Sequence, residues 1–189
     1  LLATQHIVAW FQGRMEFGAR ALGNRSILAS PRDGNMRKKL NLIVKKREGF
    51  RPFAPSVTLE DSKRYFDIKE PVPYMNVVVK TKVKYLPAAT HIDGTSRVQT
   101  VTEEQNALYY KLLKEVGKIT GIPVILNTSF NLKDQTITIS PEQALSRFLN
   151  SDIDVLVLNN YLIFKKWELY NILSHFIKSG KEIKNIKEE

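Results

Sequence analysis

The stretch Gly13–Ser30, GRMEFGARALGNRSILAS, sets glycines and arginines among apolar residues. Each of its arginines, Arg14, Arg20 and Arg25, follows a glycine by one or two positions. Glycine allows positive φ and close approach to a ligand, and arginine presents a planar fork of donors that fits phosphate or carboxylate. Because the interleaved apolar residues favour burial, the pattern predicts a loop that folds around an anion, in preference to a solvated basic turn.

The segments on either side predict strands that hold this loop. Residues 6–12, HIVAWFQ, are mostly apolar and predict a buried strand, and residues 26–30 predict a short second strand. Asp33 is a predicted N-cap for a helix that runs to about Val44. Its expected buried face holds Met36, Leu40 and Val44.

The rest of the chain mixes strands and helices without strict alternation, which favours a mixed sheet with covering helices. Further strands are predicted at 74–80, 87–90, 97–101 and 123–127, with a hairpin of 154–158 and 161–165 turning at Asn159–Asn160. Helices are predicted at 60–66, at 102–120 behind a Thr102/Gln105 capping box, from Ser140 onward, and after Lys166. The expected core faces of the second and third of these helices are Leu108, Leu112, Val116 and Ile119, and Ala144, Leu145, Phe148 and Leu149.

Composition indicates one main domain that attracts anions. The chain has 189 residues, no cysteine and a net charge of +10. Residues 1–64 hold 13 Lys/Arg against 5 Asp/Glu, so a net +8 lies in the first third. Such a field attracts nucleotides, phosphorylated small molecules or nucleic acid. No apolar run reaches the length of a membrane span, and no signal peptide is visible. The absence of cysteine agrees with a cytoplasmic location. The chain starts without methionine and the motif begins almost at once, so we expect a C-terminal piece of a longer protein.

Residues 13–26, GRMEFGARALGNRS, closely resemble the signature that opens the C-terminal domain of the O-carbamoyltransferases, which include nodulation-factor and antibiotic carbamoyltransferases. The resemblance continues through REGFRPFAPSV (47–57), THIDGTSRVQTV (90–101), GIPVILNTSFN (121–131) and SPEQALSRFLNSDIDVLVLNNYLI (140–163). It implies an α/β fold of the α+β type, a YrdC-like twisted mixed sheet around a basic cavity. The domain would span 1–166, and a C-terminal helix with a lysine-rich tail would occupy 167–189.

The resemblance also implies the site. Lys45-Lys46-Arg47 is similar to the K-x-R of YrdC-like domains, which holds carbonate-like and phosphate groups. The implied catalytic residues are Arg20, Lys45, Arg51 and Arg97. The implied substrate- and nucleotide-binding residues are Arg25, Arg47, Asn127, Thr128, Ser129 and Asn131. Each has an ordinary structural alternative as well: Arg97, for example, is alternatively expected to pair with Asp93, and Arg47 with Glu48.

The chemistry that the resemblance implies depends on ATP with Mg²⁺ and on carbamoyl phosphate. Carbamate from carbamoyl phosphate would attack the α-phosphorus of ATP and give carbamoyl adenylate, a reaction governed by positioning and charge neutralisation. The carbamoyl group would then pass to an acceptor hydroxyl in a separate N-terminal metal-binding domain. Within this chain His6, His91 and His175 lack a metal-ligand spacing, so no protein metal site is predicted. His91 is expected either to line the cleft or to make a structural hydrogen bond.

Two other functions remain open. The same fold would serve a threonylcarbamoyl-adenylate synthase, which uses bicarbonate and an amino acid, although the motifs at 47–57 and 121–131 favour the carbamoyltransferase branch. The basic first third would also suit a nucleic-acid-binding module with Phe50 or Phe53 stacking on bases. No recognition helix or RNA motif is visible, so nucleic acid is not an expected partner, and neither is a membrane. Ala19, where the family has proline, and the unusual turn 133–135 leave the local loop shapes open.

Overall fold

The central sheet has seven strands and is flanked by helices on both faces. The computed structural model of the protein describes residues 1–165, and the predicted helix and tail at 167–189 lie outside the described residues. The strands are β1 (Val8–Phe11), β2 (Arg25–Ala29), β3 (Ala54–Thr58), β4 (Val79–Lys80), β5 (Thr95–Ser96), β6 (Gln99–Val101), β7 (Val124–Ser129), β8 (Val155–Leu158) and β9 (Tyr161–Phe164). The helices are α1 (Gly34–Lys39), α2 (Leu59–Tyr65), α3 (Ala107–Thr120) and α4 (Pro141–Leu149), and a 3₁₀ turn covers Leu2–Thr4.

The strand order β6-β3-β7-β2-β1-β8-β9 makes a mixed sheet. β7 lies antiparallel to both β2 and β3, whereas β1 runs parallel to β8 and β3 runs parallel to β6. β4 and β5 form a separate antiparallel pair. The prediction of a mixed sheet with covering helices is therefore confirmed, as is the hairpin of β8 and β9, where Asn159 adopts a φ of 50°.

The two faces of the sheet bury two apolar clusters. Along β1, Ala9 and Phe11 belong to the larger cluster, while Val8 and Trp10 belong to the smaller one, as strand alternation requires. The larger cluster packs under α1, α2 and α4, and the smaller one packs under α3. No helix within residues 1–165 is long and apolar enough to cross a membrane.

The helix predicted from Asp33 to Val44 changes its geometry part-way along. Asp33 caps α1 as predicted, since its carboxylate accepts a hydrogen bond from the backbone N of Asn35. From Leu40 to Val44 the helix widens into a π-helical turn, in which Lys45 N donates to Leu40 O at 2.9 Å. The predicted face of Met36, Leu40 and Val44 is buried. Lys45, the residue after this turn, contacts Ser129 O and Asn131 O at the end of β7.

Two predicted strands are wrong. Residues 87–90 form a turn, because Ala89 N and Thr90 Oγ1 both donate to Leu86 O. In 74–80 only Val79 and Lys80 form a strand, because Met75 adopts a φ of 55° that interrupts the extended chain.

The predicted core faces of two helices are partly wrong. α3 begins at Ala107 behind Asn106; Thr102 and Gln105 do exchange hydrogen bonds, but they close the preceding turn. Tyr109 and Leu113 are fully buried in α3, whereas Leu108 and Ile119 are about half exposed. The predicted Leu112 and Val116 are partly buried beside Tyr109 and Leu113, so the buried face of α3 is rotated from the predicted one. In α4, Ala144 and Phe148 are buried and Leu145 and Leu149 are exposed, so its buried stripe is narrower than predicted.

Candidate anion-binding site

The predicted polar residues meet at one edge of the sheet. Ser129, the last residue of β7, lies opposite Ser26 at the start of β2. Asn127, two residues earlier, lies opposite Ala54 at the start of β3. The glycine- and arginine-rich loop 12–24 enters and leaves at this same edge, between β1 and β2. Antiparallel pairing therefore brings residues that are about 100 positions apart in sequence into one site.

A carboxylate inside the loop organises its backbone. Glu16 Oε1 accepts hydrogen bonds from the backbone N of Leu22 at 2.7 Å, Asn24 at 2.7 Å and Arg25 at 3.3 Å. Glu16 was not predicted as a functional residue. The available signal was its position as the acidic residue of an otherwise basic stretch, 13–30.

Arg25 closes the base of the loop. Its Nη1 donates to Gln12 O at 2.7 Å and to Asn24 O at 3.1 Å, and its Nη2 donates to Gly13 O at 2.9 Å. The guanidinium lies 3.5 Å from the centroid of the Phe11 ring, and the residue is only 4% exposed. These contacts brace the scaffold, and Arg25 does not line either of the cavities described next. Its role in ligand binding stays a prediction without a cavity contact to support it.

Gly23 fits the loop against α3. It adopts a φ of 114°, and a Cβ at this position would overlap the ring of Tyr109. Its carbonyl accepts a hydrogen bond from Trp10 Nε1 at 2.8 Å. A side chain at residue 23 would therefore push the loop away from α3.

Two adjoining cavities contain the other nine residues of the predicted site. The first, which we call the arginine cavity, has a volume of about 110 Å³ and holds Arg20, Arg47, Arg97, Asn127, Thr128 and Ser129. The second, the lysine cavity, has a volume of about 340 Å³ and holds Lys45, Arg47, Arg51, Ser129 and Asn131. Arg47 and Ser129 line both cavities, so an elongated anion is able to contact the two together.

Arg97 and Arg20 carry charges that no residue of the described part of the chain, 1–165, neutralises. Neither guanidinium makes a hydrogen bond or ion pair within residues 1–165, and the half-buried Arg97 Nε lacks a partner there. Burial first, and then the charge of Arg20, lowers the pKa of Arg97 below its ordinary value. The alternative pairing with Asp93 does not form, because Asp93 Oδ1 accepts from Thr95 instead. A bound anion would relieve the repulsion between the two arginines.

Arg47 is held from behind by Asn41. Its Nε donates to Asn41 Oδ1 at 2.7 Å, and the guanidinium lies 5.0 Å from the centroid of the Phe53 ring. Asn41 is fully buried, and its Nδ2 donates to Arg51 O at 2.8 Å. Burial lowers the pKa of Arg47, and the charge of Arg51 lowers it further. Glu48 pairs with the exposed Arg51 at 2.9 Å, not with Arg47.

Lys45 joins the π-helical turn to the end of β7. Its Nζ donates to Ser129 O at 2.6 Å, Asn131 O at 3.0 Å and Asn131 Oδ1 at 2.8 Å, and Ser129 Oγ donates to the same Asn131 Oδ1. Burial lowers the pKa of Lys45 to about 7, and Arg47 and Arg147 contribute to the shift. The three oxygen acceptors favour the ammonium form, so Lys45 is a charged group near its titration point that also fixes the shape of the cavity.

His91 lies away from this site. It lines a third cavity with Arg37 and Lys84, and its Nδ1 lies 3.0 Å from Thr95 Oγ1. Within the part of the chain that the structure describes, no three His, Asp or Glu side chains are grouped to hold a metal ion.

The comparison with protein families decides the relationship. The family model described as Carbamoyltransferase C-terminus matches residues 1–165. The chain belongs to this family. The predicted resemblance is thereby confirmed over the whole described part of the chain.

Relatives with known names agree with this placement. Nodulation protein NolNO of Sinorhizobium fredii is 47% identical over 171 residues, which cover 87% of this chain and 25% of that protein. The 3'-hydroxymethylcephem-O-carbamoyltransferase of Amycolatopsis lactamdurans is 42% identical over 135 residues, 71% of this chain and 26% of that enzyme. The chain therefore spans about a quarter of the length of these relatives.

A solved structure supports the fold. The crystal structure of full-length HypF in its phosphate- and nucleotide-bound form superposes with a TM-score of 0.61 at 22% identity, over 84% of this chain and 24% of that one. HypF has a YrdC-like domain, so the predicted fold class is confirmed.

Proposed function

We propose that this domain binds ATP and carbamoyl phosphate at the two cavities and forms carbamoyl adenylate, which serves a carbamoyltransferase reaction on an acceptor hydroxyl. The observation that carries the proposal is the joining of the arginine and lysine cavities at Arg47 and Ser129. Together they gather guanidinium and ammonium groups around a short row of strand-end polar residues. Family membership supports the carbamoyl chemistry, since relatives are named O-carbamoyltransferases.

The charges of the site suit phosphate oxygens. Arg20 and Arg97 have no protein partner within residues 1–165, and a planar guanidinium donates two parallel hydrogen bonds to a phosphate. Asn41 holds Arg47 by its Nε and leaves the terminal nitrogens for a ligand. Lys45 adds charge from behind the turn Ser129–Asn131. Mg²⁺ would be carried by the nucleotide, and the arginine and lysine side chains would bind the nucleotide's phosphates.

The proposed reaction has two balanced steps. Water cleaves carbamoyl phosphate to carbamate and inorganic phosphate. A carbamate oxygen then attacks the α-phosphorus of ATP, the bond to the β-phosphate oxygen breaks, and pyrophosphate leaves. The arginines stabilise the negative charge that builds on the phosphoryl oxygens, which is the main form of catalysis such a step needs.

Transfer of the carbamoyl group is proposed to need the rest of the polypeptide. The relatives are about four times as long as the matched region. We propose that their remaining part contains the acceptor-binding site and the metal site. The purified 189-residue chain should therefore not carbamoylate an acceptor hydroxyl. Steady carbamoylation of an acceptor by the metal-free chain would contradict the proposal that transfer needs the rest of the polypeptide.

A thermal scan tests ligand binding. A ligand that binds only the native state raises the melting temperature by mass action. We expect millimolar ATP and carbamoyl phosphate each to raise the melting temperature. Any rise in melting temperature caused by RNA at the same phosphate concentration should disappear at high salt. An unchanged melting temperature with both small ligands would contradict the proposal.

A further inference from the structure

A chain of three buried polar side chains fixes the direction of one amide in the arginine cavity. Gln99 Nε2 donates to the backbone carbonyl of Leu22 at 2.9 Å. A carbonyl only accepts, so the nitrogen of the Gln99 amide must face Leu22 and its oxygen must face the other way. Gln99 Oε1 accordingly accepts from Ser56 Oγ at 2.6 Å and from Asn127 Nδ2 at 2.9 Å.

The same reasoning fixes the orientation of the Asn127 side-chain amide. Because Gln99 Oε1 is an acceptor, the Asn127 atom that contacts it must be the Nδ2 donor. Asn127 Oδ1 is then left over, and it is buried without a hydrogen-bond partner within residues 1–165. Asn127 is 1% exposed and lines the arginine cavity. A buried acceptor that stays unpaired is unfavourable, so a ligand that donates a hydrogen bond to it is favoured.

We propose that Asn127 Oδ1 accepts a hydrogen bond from the NH₂ group of the carbamoyl moiety, and that Gln99 is the positioning residue that holds this acceptor in place. The inference rests on the proposed function, and it names how the site selects its substrate. The arginines of the cavity offer donors only, so they recognise the oxygens of a carbamoyl phosphate or carbamate. Asn127 supplies the acceptor that such a ligand needs at its nitrogen.

The assignment predicts which related molecule is rejected. In acetyl phosphate a methyl group replaces the NH₂ group of carbamoyl phosphate, with similar size but without a donor. Its phosphate still binds the arginines, while Asn127 Oδ1 stays unpaired. A site that is built to hydrogen-bond a substrate group discriminates strongly against an analogue that lacks it.

Calorimetric titration of carbamoyl phosphate and acetyl phosphate into the 189-residue chain tests the proposal. We expect the wild type to bind carbamoyl phosphate more tightly by roughly 10- to 100-fold, the range of a buried hydrogen bond left unmade. Asn127→Leu should reduce this preference to about twofold or less, through weaker carbamoyl phosphate binding alone. Gln99→Met should reduce it in the same direction, although Asn127 is intact. A merely structural role of Gln99 would weaken both ligands equally and leave the preference unchanged.

Ser56→Ala is the matched control. It removes the other donor to Gln99 Oε1, but the Leu22 carbonyl still fixes the Gln99 amide, so the preference should remain. Equal binding of the two phosphates by the wild type, or a full preference in Asn127→Leu or Gln99→Met, would overturn the inference and leave the proposed function standing. Binding of neither phosphate by the folded wild type would overturn the proposed function itself. If Asn127→Leu does not fold in a melting curve, Gln99→Met and the wild-type ratio decide.

Discussion

Arg20 in the loop 12–24 and Arg25 at the start of β2 lie five residues apart, and their guanidinium groups have opposite roles. Arg25 donates to three backbone carbonyls and is almost fully buried, whereas Arg20 is exposed and makes no hydrogen bond within residues 1–165. The same contrast separates Arg147, which donates to Thr136 O and Thr138 Oγ1, from the half-buried Arg97, whose guanidinium has no hydrogen-bond partner among the described residues. A guanidinium whose donors already contact protein oxygens stabilises the fold, and one whose donors are free is available to a ligand.

Removal of Arg25 should produce the largest effect on stability. Arg25→Met leaves the carbonyls of Gln12 and Gly13 without their charged donor and removes the contact with Phe11. We expect a loss of about 3 kcal/mol in the free energy of unfolding, which corresponds to a fall of roughly 6–12 °C in melting temperature. Arg20→Met is the matched control and should unfold like the wild type. Equal destabilisation of both variants would remove the distinction between the two arginines.

Removal of Arg97 should produce the largest effect on ligand binding. Arg97→Met loses no protein hydrogen bond within the described residues, so its melting curve without ligand should match the wild type. Its affinity for ATP, and that of Arg20→Met, should fall by about 2–3 kcal/mol, the scale of a charged hydrogen bond. Calorimetry beside thermal melting measures both quantities. An Arg97→Met protein that melts early and binds ATP normally would place Arg97 in the scaffold.

The sequence predicted most of the polar residues that the fold brings together, because the relevant signals are local. Glycine–arginine spacing marks the loop, and polar residues at the end of the apolar run 123–127 mark a strand end. The pairing of β7 with β2, which the structure shows and the sequence did not predict, then places Ser129 beside Ser26.

The supporting residues could not be predicted in the same way. Glu16, Asn41 and Gln99 act through backbone groups of distant segments, and sequence alone does not show where those groups point. The bracing role of Arg25 escaped prediction for the same reason, since its partners are carbonyls whose directions depend on the folded loop.

Lys45 both braces the fold and adds charge to the lysine cavity, and its pH dependence distinguishes these two roles. Its pKa is about 7 in the folded protein and 10.5 in the unfolded chain, so the unfolded state binds more protons between these values. The free energy of unfolding should therefore rise with pH from about 7 to 10.5. Affinity for sulfate, whose charge is constant, should fall by up to about tenfold from pH 6 to pH 8 as the ammonium is lost.

The control for this prediction is Lys45→Met, in which both pH dependences should flatten. The substitution also leaves Ser129 O and Asn131 O without their donor, so a loss of stability is expected at low and high pH alike. A sulfate affinity that keeps its full pH dependence in Lys45→Met would assign the titration to another group.

Arg51 should give the smallest effect. It is about half exposed, and its ion pair with Glu48 is of the surface kind that contributes at most about 1 kcal/mol. Arg51→Met should change the free energy of unfolding by less than about 0.5 kcal/mol and weaken ATP binding by less than about 1 kcal/mol. A loss as large as that of Arg97→Met would move the centre of the site from the arginine cavity to the lysine cavity.

The most direct test of the central claim is exchange of radiolabelled pyrophosphate into ATP, measured with the 189-residue chain and Mg²⁺. Reversible formation of carbamoyl adenylate predicts exchange that depends on carbamoyl phosphate and that is strongly reduced in Arg97→Met. Acetyl phosphate should not support it. A folded, ATP-binding wild-type chain that shows no exchange with carbamoyl phosphate, or exchange of equal rate without it, would contradict the claim that this domain makes the adenylate.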